Sequence, residues 1–229
     1  IVNLILLIIN SLVILSLKPY VFLSLLPGAL IWLNNNYIKK IKNSVLKTLI
    51  TPIIVVVIIV TGFLTFSSLS TLMGDYSDVD SAVQQAQVIQ QDLLREEVYG
   101  SNAYYIGEID GTFTNLLSLA PTAIFTSIFR PLLWEAQNPM MFVSAVENTG
   151  LIFLVFYLFI KANPLTFFRL LFSDPFLVMC FSFSVFFAFG VGIASTNFGA
   201  LVRYKIPLIP FFYICLYIIY CKLKYKIED

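Results

Sequence analysis

Apolar positions in this chain come in long unbroken runs separated by brief polar breaks. Six runs can be drawn: Ile1 to Leu17, Tyr20 to Leu33, Thr48 to Ser67, Met140 to Ile160, Pro175 to Ala194 and Ile206 to Cys221. Several approach the roughly 20 residues that a helix needs to cross about 30 Å of hydrocarbon. The residue-by-residue alternation of a barrel strand is absent, which leaves helices as the spanning element. Between Gly74 and Asp110 the pattern changes. Val79, Val83, Ala86, Ile89 and Leu93 recur at helical spacing, which predicts an amphipathic helix capped by Ser77 or Asp78 and lying over the membrane helices. Its glutamine-rich face is read as solvated. A further apolar stretch, Phe113 to Phe129, is interrupted by Pro121 and is read as an interfacial or re-entrant helix, not a crossing.

Composition agrees with the pattern. The chain is 59% hydrophobic and 12% charged, with a mean hydropathy of +0.89; soluble domains carry about a quarter charged residues. The expected fold is therefore all-α, a polytopic membrane helix bundle of about six transmembrane helices. Its parts are N-terminal membrane helices over 1–68, an extracytoplasmic loop with amphipathic and interfacial helices over 69–139, and C-terminal membrane helices with a short tail over 140–229. The chain opens inside an apolar run at Ile1, and is read as a piece whose N-terminal part is missing. Histidine is absent and the three cysteines, Cys180, Cys215 and Cys221, have no metal-ligand spacing. No metal and no cofactor is expected, and a net charge of +1 suggests no nucleic acid.

Basic residues orient the runs, because cytoplasmic loops are enriched in lysine and arginine. Lys39, Lys40, Lys42 and Lys47 follow the second run, Lys161 and Arg169 follow the fourth, and three lysines fill the tail "KLKYKIED". All three segments fall on one side if 69–139 is outside and the C-terminus is cytoplasmic. The acidic stretch from Gly74 to Asp110, with eight acids and only Arg95 as a base, then lies outside.

Arg203 and Lys205 break that trend, being basic residues on the expected outer side. So do the polar residues of "FRPLLWEAQNP": Arg130, Trp134, Glu135 and Asn138. Glu147 falls within a span beside Asn148, and an ionisable group at such a position is by default a candidate functional residue. Guanidinium groups grip phosphate oxygens bidentately and lysine adds a point charge. Aromatic rings such as Trp134 and Tyr204 suit the headgroup level and stack on sugar faces. The simpler readings stay open: Arg130 and Glu135 paired with each other, Trp134 as a belt residue, Arg203 and Lys205 on ordinary anionic headgroups.

"FRPLLWEAQNPMMFVSAVEN" and "TNFGALVRYKIPLIPFF" resemble segments of bacterial multi-pass membrane proteins of cell-surface polysaccharide assembly. These include O-antigen and exopolysaccharide polymerase-like proteins and polyprenyl-dependent sugar transferases. The resemblance covers roughly 105–215. It implies a protein of the bacterial inner membrane that binds a polyprenyl-(pyro)phosphate-linked glycan, or another anionic lipid, at its outer face. Arg130, Trp134, Asn138, Asn197, Arg203, Tyr204 and Lys205 would bind it, with Glu147 or Glu135 as general base in transfer or polymerisation of sugar. Membrane lipids and other assembly proteins are the further partners. The absence of histidine departs from the O-antigen ligase pattern. Two other functions remain open: a transporter of lipid-linked sugar, and a non-catalytic subunit of a glycan assembly complex.

Overall fold

The computed structural model describes residues 2–38, 79–99 and 102–225. The run from Thr48 to Ser67, the lysines at 39–47 and the caps at Ser77 or Asp78 lie outside them. The described residues form α1 (Val2–Leu17), α2 (Pro19–Ile38), α3 (Val79–Leu93), α4 (Glu96–Tyr99), α5 (Phe113–Phe129), α6 (Pro139–Ala162), α7 (Pro164–Ser173), α8 (Pro175–Ala194), α9 (Phe198–Tyr204) and α10 (Leu208–Tyr225). Among them there is no strand, only an isolated bridge between Ala103 and Asn197.

The chain is all-helical there, as its apolar pattern implies. Among the described residues, three helices, α6, α8 and α10, are long and apolar enough to cross a membrane. In α1 the apolar stretch is only Ile5–Ile14 and in α2 only Tyr20–Trp32, because α2 ends in the polar run "NNNYI".

Helix starts are written locally. Three successive helices begin with Asx-Pro: Asn138-Pro139, Asn163-Pro164 and Asp174-Pro175. Proline fits the first helical position and the preceding Asx accepts an otherwise unpaired amide. Asn138 Oδ1 accepts from Met141 N at 2.9 Å and Asp174 Oδ1 from Phe176 N at 2.9 Å. Asn163, at φ 54°, caps α7 through Leu165 N at 2.9 Å. The short helix α7 is an addition to the sequence reading, which places only a loop between the fourth and fifth runs.

The hub is α8, against which α2, α5 and α10 pack. Phe183 lies 4.5 Å from Phe211 between ring centroids, and Cys215 Sγ reaches the Leu177 carbonyl at 4.0 Å. So α10 runs antiparallel to α8. Tyr20 stacks on Phe187 while Gly28 approaches Met179 and Ser182, so α2 is antiparallel to α8 as well. Tyr213 against Glu147 and Tyr220 against Tyr157 make α6 parallel to α10. Large apolar side chains such as Phe153, Phe156, Phe186 and Tyr217 remain exposed on this bundle, as expected of helices that face lipid.

The amphipathic helix α3 packs on α8 and α5. Val83 and Leu93 are buried there, and Ala86 and Ile89 are half-buried. One residue of the supposedly solvated face turns inward: Gln90 is buried, donating from Nε2 to the Gly107 carbonyl at 3.1 Å.

Candidate functional site

Helix α5 descends beside α8 and stops short. Ala123 faces Gly192 near the end of α8, whereas Phe129 faces Phe212 and Ile128 shares a groove with Glu147 and Leu151. The chain then turns back through the 3-10 turn Leu133–Glu135 to the start of α6. Pro131 is held by Asn148, whose Nδ2 donates to its carbonyl at 2.9 Å. At 1.5 Å per residue, Asn148 lies about 13 Å along α6 from Pro139. The stretch 130–138 is thus the returning limb of a hairpin with α5. Buried backbone outside regular structure requires partners within the protein.

Those partners explain most of the candidate residues. The Arg130 guanidinium grips the Glu135 carboxylate: Nε donates to Oε1 at 3.0 Å and to Oε2 at 3.2 Å, and Nη2 donates to Oε1. Glu135 Oε2 also accepts from Leu132 N at 2.8 Å. Burial pushes the Glu135 carboxyl up, but the Arg130 hydrogen bond, the Leu132 amide and the Arg130 charge outweigh it and hold the group below its ordinary value. Arg130 also lies over two rings, 5.3 Å from the Tyr104 centroid and 5.0 Å from that of Phe198. Tyr104 is buried and donates its hydroxyl to the Ser195 carbonyl. Phosphate at Arg130 would have to displace this carboxylate, so the pairing reading describes the residue.

Lys205 is the second anchor. It occupies the link between α9 and α10, outside the three helices long enough to cross, and is 1% exposed. Its Nζ donates to the Arg130 carbonyl at 2.9 Å and to Asn148 Oδ1 at 2.7 Å. The ammonium therefore caps the C-terminal end of α5, where the helix dipole favours a cation. Burial pushes it down to about 7, with the Glu147 carboxylate acting in the opposite direction. The sequence reading places Lys205 on an external phosphate; the structure commits it to an internal carbonyl and an amide oxygen.

Asn138 and Asn197 are likewise helix caps. Asn197 Oδ1 accepts from Gly199 N at 2.8 Å, and its backbone bridges Ala103. No local pattern singles out Tyr104, Phe198 or Gln90, and Asn148 stands out only as the neighbour of Glu147. Their partners lie 17 or more positions away, beyond any local pattern.

Four candidates remain unengaged by this network. Trp134 is 80% exposed and Tyr204 46%. Arg203 is exposed and, among the described residues, donates only from Nε, to Gly199 O at 3.0 Å. Glu147 is exposed on α6 and lines the groove with Ile128, Leu151, Leu208, Phe212 and Tyr213. Its backbone carbonyl accepts from Tyr213 Oη at 3.3 Å, and its carboxylate has no hydrogen-bond partner among the described residues. No group of side chains able to hold a metal ion occurs among the described residues. No family model, curated protein or solved structure matches this chain. Fold and site together define, among the described residues, an all-helical protein with three membrane-capable helices and a carboxylate-bearing groove beside the α5 hairpin.

Proposed function

We propose that this is a bacterial inner-membrane protein of cell-surface polysaccharide assembly, acting on a polyprenyl-(pyro)phosphate-linked glycan. The observation that carries the reading is Glu147: a carboxylate without a hydrogen-bond partner among the described residues, in a groove whose other walls are apolar apart from Tyr213 and Asn148. An aliphatic carrier would lie along these apolar walls, with its hydroxyl-rich head at Glu147. Glu147 would take the proton of an acceptor hydroxyl, whose oxygen attacks the anomeric carbon as the bond to the carrier phosphate breaks. Arg203, with both Nη groups unengaged among the described residues, would receive the phosphate charge.

The orientation is part of the proposal. Lys161, Arg169, Lys222 and Lys224 belong to the ends of α6 and α10 and to α7, at the opposite end from α3, and by the charge rule that end is cytoplasmic.

One feature favours the transporter reading as an alternative. Two interrupted helical paths, the end of α5 and the α9–α10 link, meet at Lys205, and discontinuous helices line the sites of many transporters.

Loss of the gene, complemented by variants, tests the reading. Glu147→Gln and Arg203→Ala should each lower surface glycan roughly tenfold or more, at unchanged membrane level and melting temperature, and lipid-linked intermediate should accumulate. Accumulation on the cytoplasmic leaflet alone would support transport. Normal glycan in both variants would remove the functional reading.

A further inference from the structure

We propose that Lys205 is a proton-binding site, and that its uptake of a proton loosens the seat of the α5 C-terminal end and the returning limb. This goes beyond the glycan reading and does not depend on it. The geometry carries the argument. The Lys205 nitrogen is buried, with two acceptors, Arg130 O and Asn148 Oδ1, and no ion pair with a carboxylate among the described residues. A neutral amine has two N–H donors, which those acceptors satisfy in full. An ammonium has a third donor that the seat does not match and a charge that the α5 C-terminal end only partly offsets, and water does both better.

The groups around Lys205 do not cancel this preference. Glu147 on α6 is the negative charge that it feels. The Arg130 guanidinium on the limb is neutralised by Glu135, and the Tyr104 phenol from the 102–112 segment is committed to Ser195. From α10, Tyr213 Oη is directed to the Glu147 carbonyl. Arg203 on α9 is exposed and carries no negative charge that could hold the ammonium.

The sign follows from linkage. Seated, the group titrates near about 7; free in water it would titrate near 10.5. Between those values the unseated state holds more proton, so the seat firms as pH rises and loosens as pH falls. Unseating should increase by up to about tenfold per pH unit on descending through that window and level off below about 7. Acid therefore opens the hairpin tip, and alkali closes it.

Cysteine accessibility tests this without any glycan. In the purified protein in lipid nanodiscs, with Cys180, Cys215 and Cys221 changed to alanine, Ile128→Cys reports on the α5 wall of the groove, where Ile128 is buried. Its rate with iodoacetamide from pH 6 to 9 is normalised to Trp134→Cys, an exposed position, to remove the thiol's own titration. The normalised rate should rise about tenfold between pH 8.5 and 7.5. Lys205→Met should be flat with pH, and Lys205→Arg flat and fast throughout. Glu147→Gln should move the levelling-off to lower pH. A flat profile in the parent, or a slope that persists in Lys205→Met, overturns the proposal. Should Lys205→Met fail to fold, the parent and Lys205→Arg decide the matter between them.

Discussion

Gly192→Ala should be among the most damaging single changes in the chain. A Cβ at Gly192 would clash with the Ala123 carbonyl oxygen and lie 2.7 Å from the carbonyl carbon. Both are backbone atoms of α5, so no side-chain rotation relieves the contact. Either α5 withdraws from α8 or the crossing distorts. Overpacking of this kind costs on the order of 3 kcal/mol, and the hairpin wall would move with it. Gly190 provides the control two residues earlier, since a Cβ there meets nothing within 4 Å. Gly190→Ala should be neutral, or stabilising by up to about 1 kcal/mol through helix propensity. Thermal unfolding in detergent measures both. Equal melting temperatures for the two variants would mean that α5 does not press on α8 as described.

Removing Glu135 should be comparably severe. The pair is largely shielded, with side-chain exposures of 23% for Arg130 and 16% for Glu135. Glu135→Ala strands a guanidinium between two aromatic rings and deprives the Leu132 amide of its acceptor. Breaking one partner of such a pair costs roughly 2 to 4 kcal/mol, reduced from the fully buried case by residual solvent. Arg130→Ala should cost a similar amount. The double variant should lose less than the sum of the two, with a coupling of about 1 to 3 kcal/mol. A depressed carboxyl contributes stability that is complete above its unfolded value, about 4.5. The contribution fades as pH falls to and below the folded value, so the parent should lose its advantage over Glu135→Ala in acid. If Arg130 were instead a phosphate clamp, Arg130→Ala would abolish glycan at an unchanged melting temperature.

What the sequence discloses here depends on range. Asn138 as a cap, α3 as an amphipathic helix and the five-position reach from Arg130 to Glu135 are local, and all are readable. The short helix α7 escapes because "TFFRLLFS" mixes exposed and buried apolar residues next to a membrane, where both faces are greasy. The position of Lys205 off the charge trend is a legible anomaly. Its cause is not legible, since Arg130 and Asn148 come to it from 75 and 57 positions away. The local stretch "FRPLLWEAQNP" therefore reads as a binding loop, while in three dimensions much of its polarity serves to fold a short return through the bundle.

That return is the central claim, and side-specific labelling tests it most directly. Single cysteines at Gln84 on α3, at Gln137 just before α6 and at Lys224 near the end of α10 are compared in a cysteine-free background. An impermeant thiol reagent is applied to intact spheroplasts and again after permeabilisation. A re-entrant α5 puts positions 84 and 137 on one side, labelled in intact cells, with 224 labelled only after permeabilisation. Labelling that places 84 and 137 on opposite sides would make α5 a crossing and would contradict the hairpin.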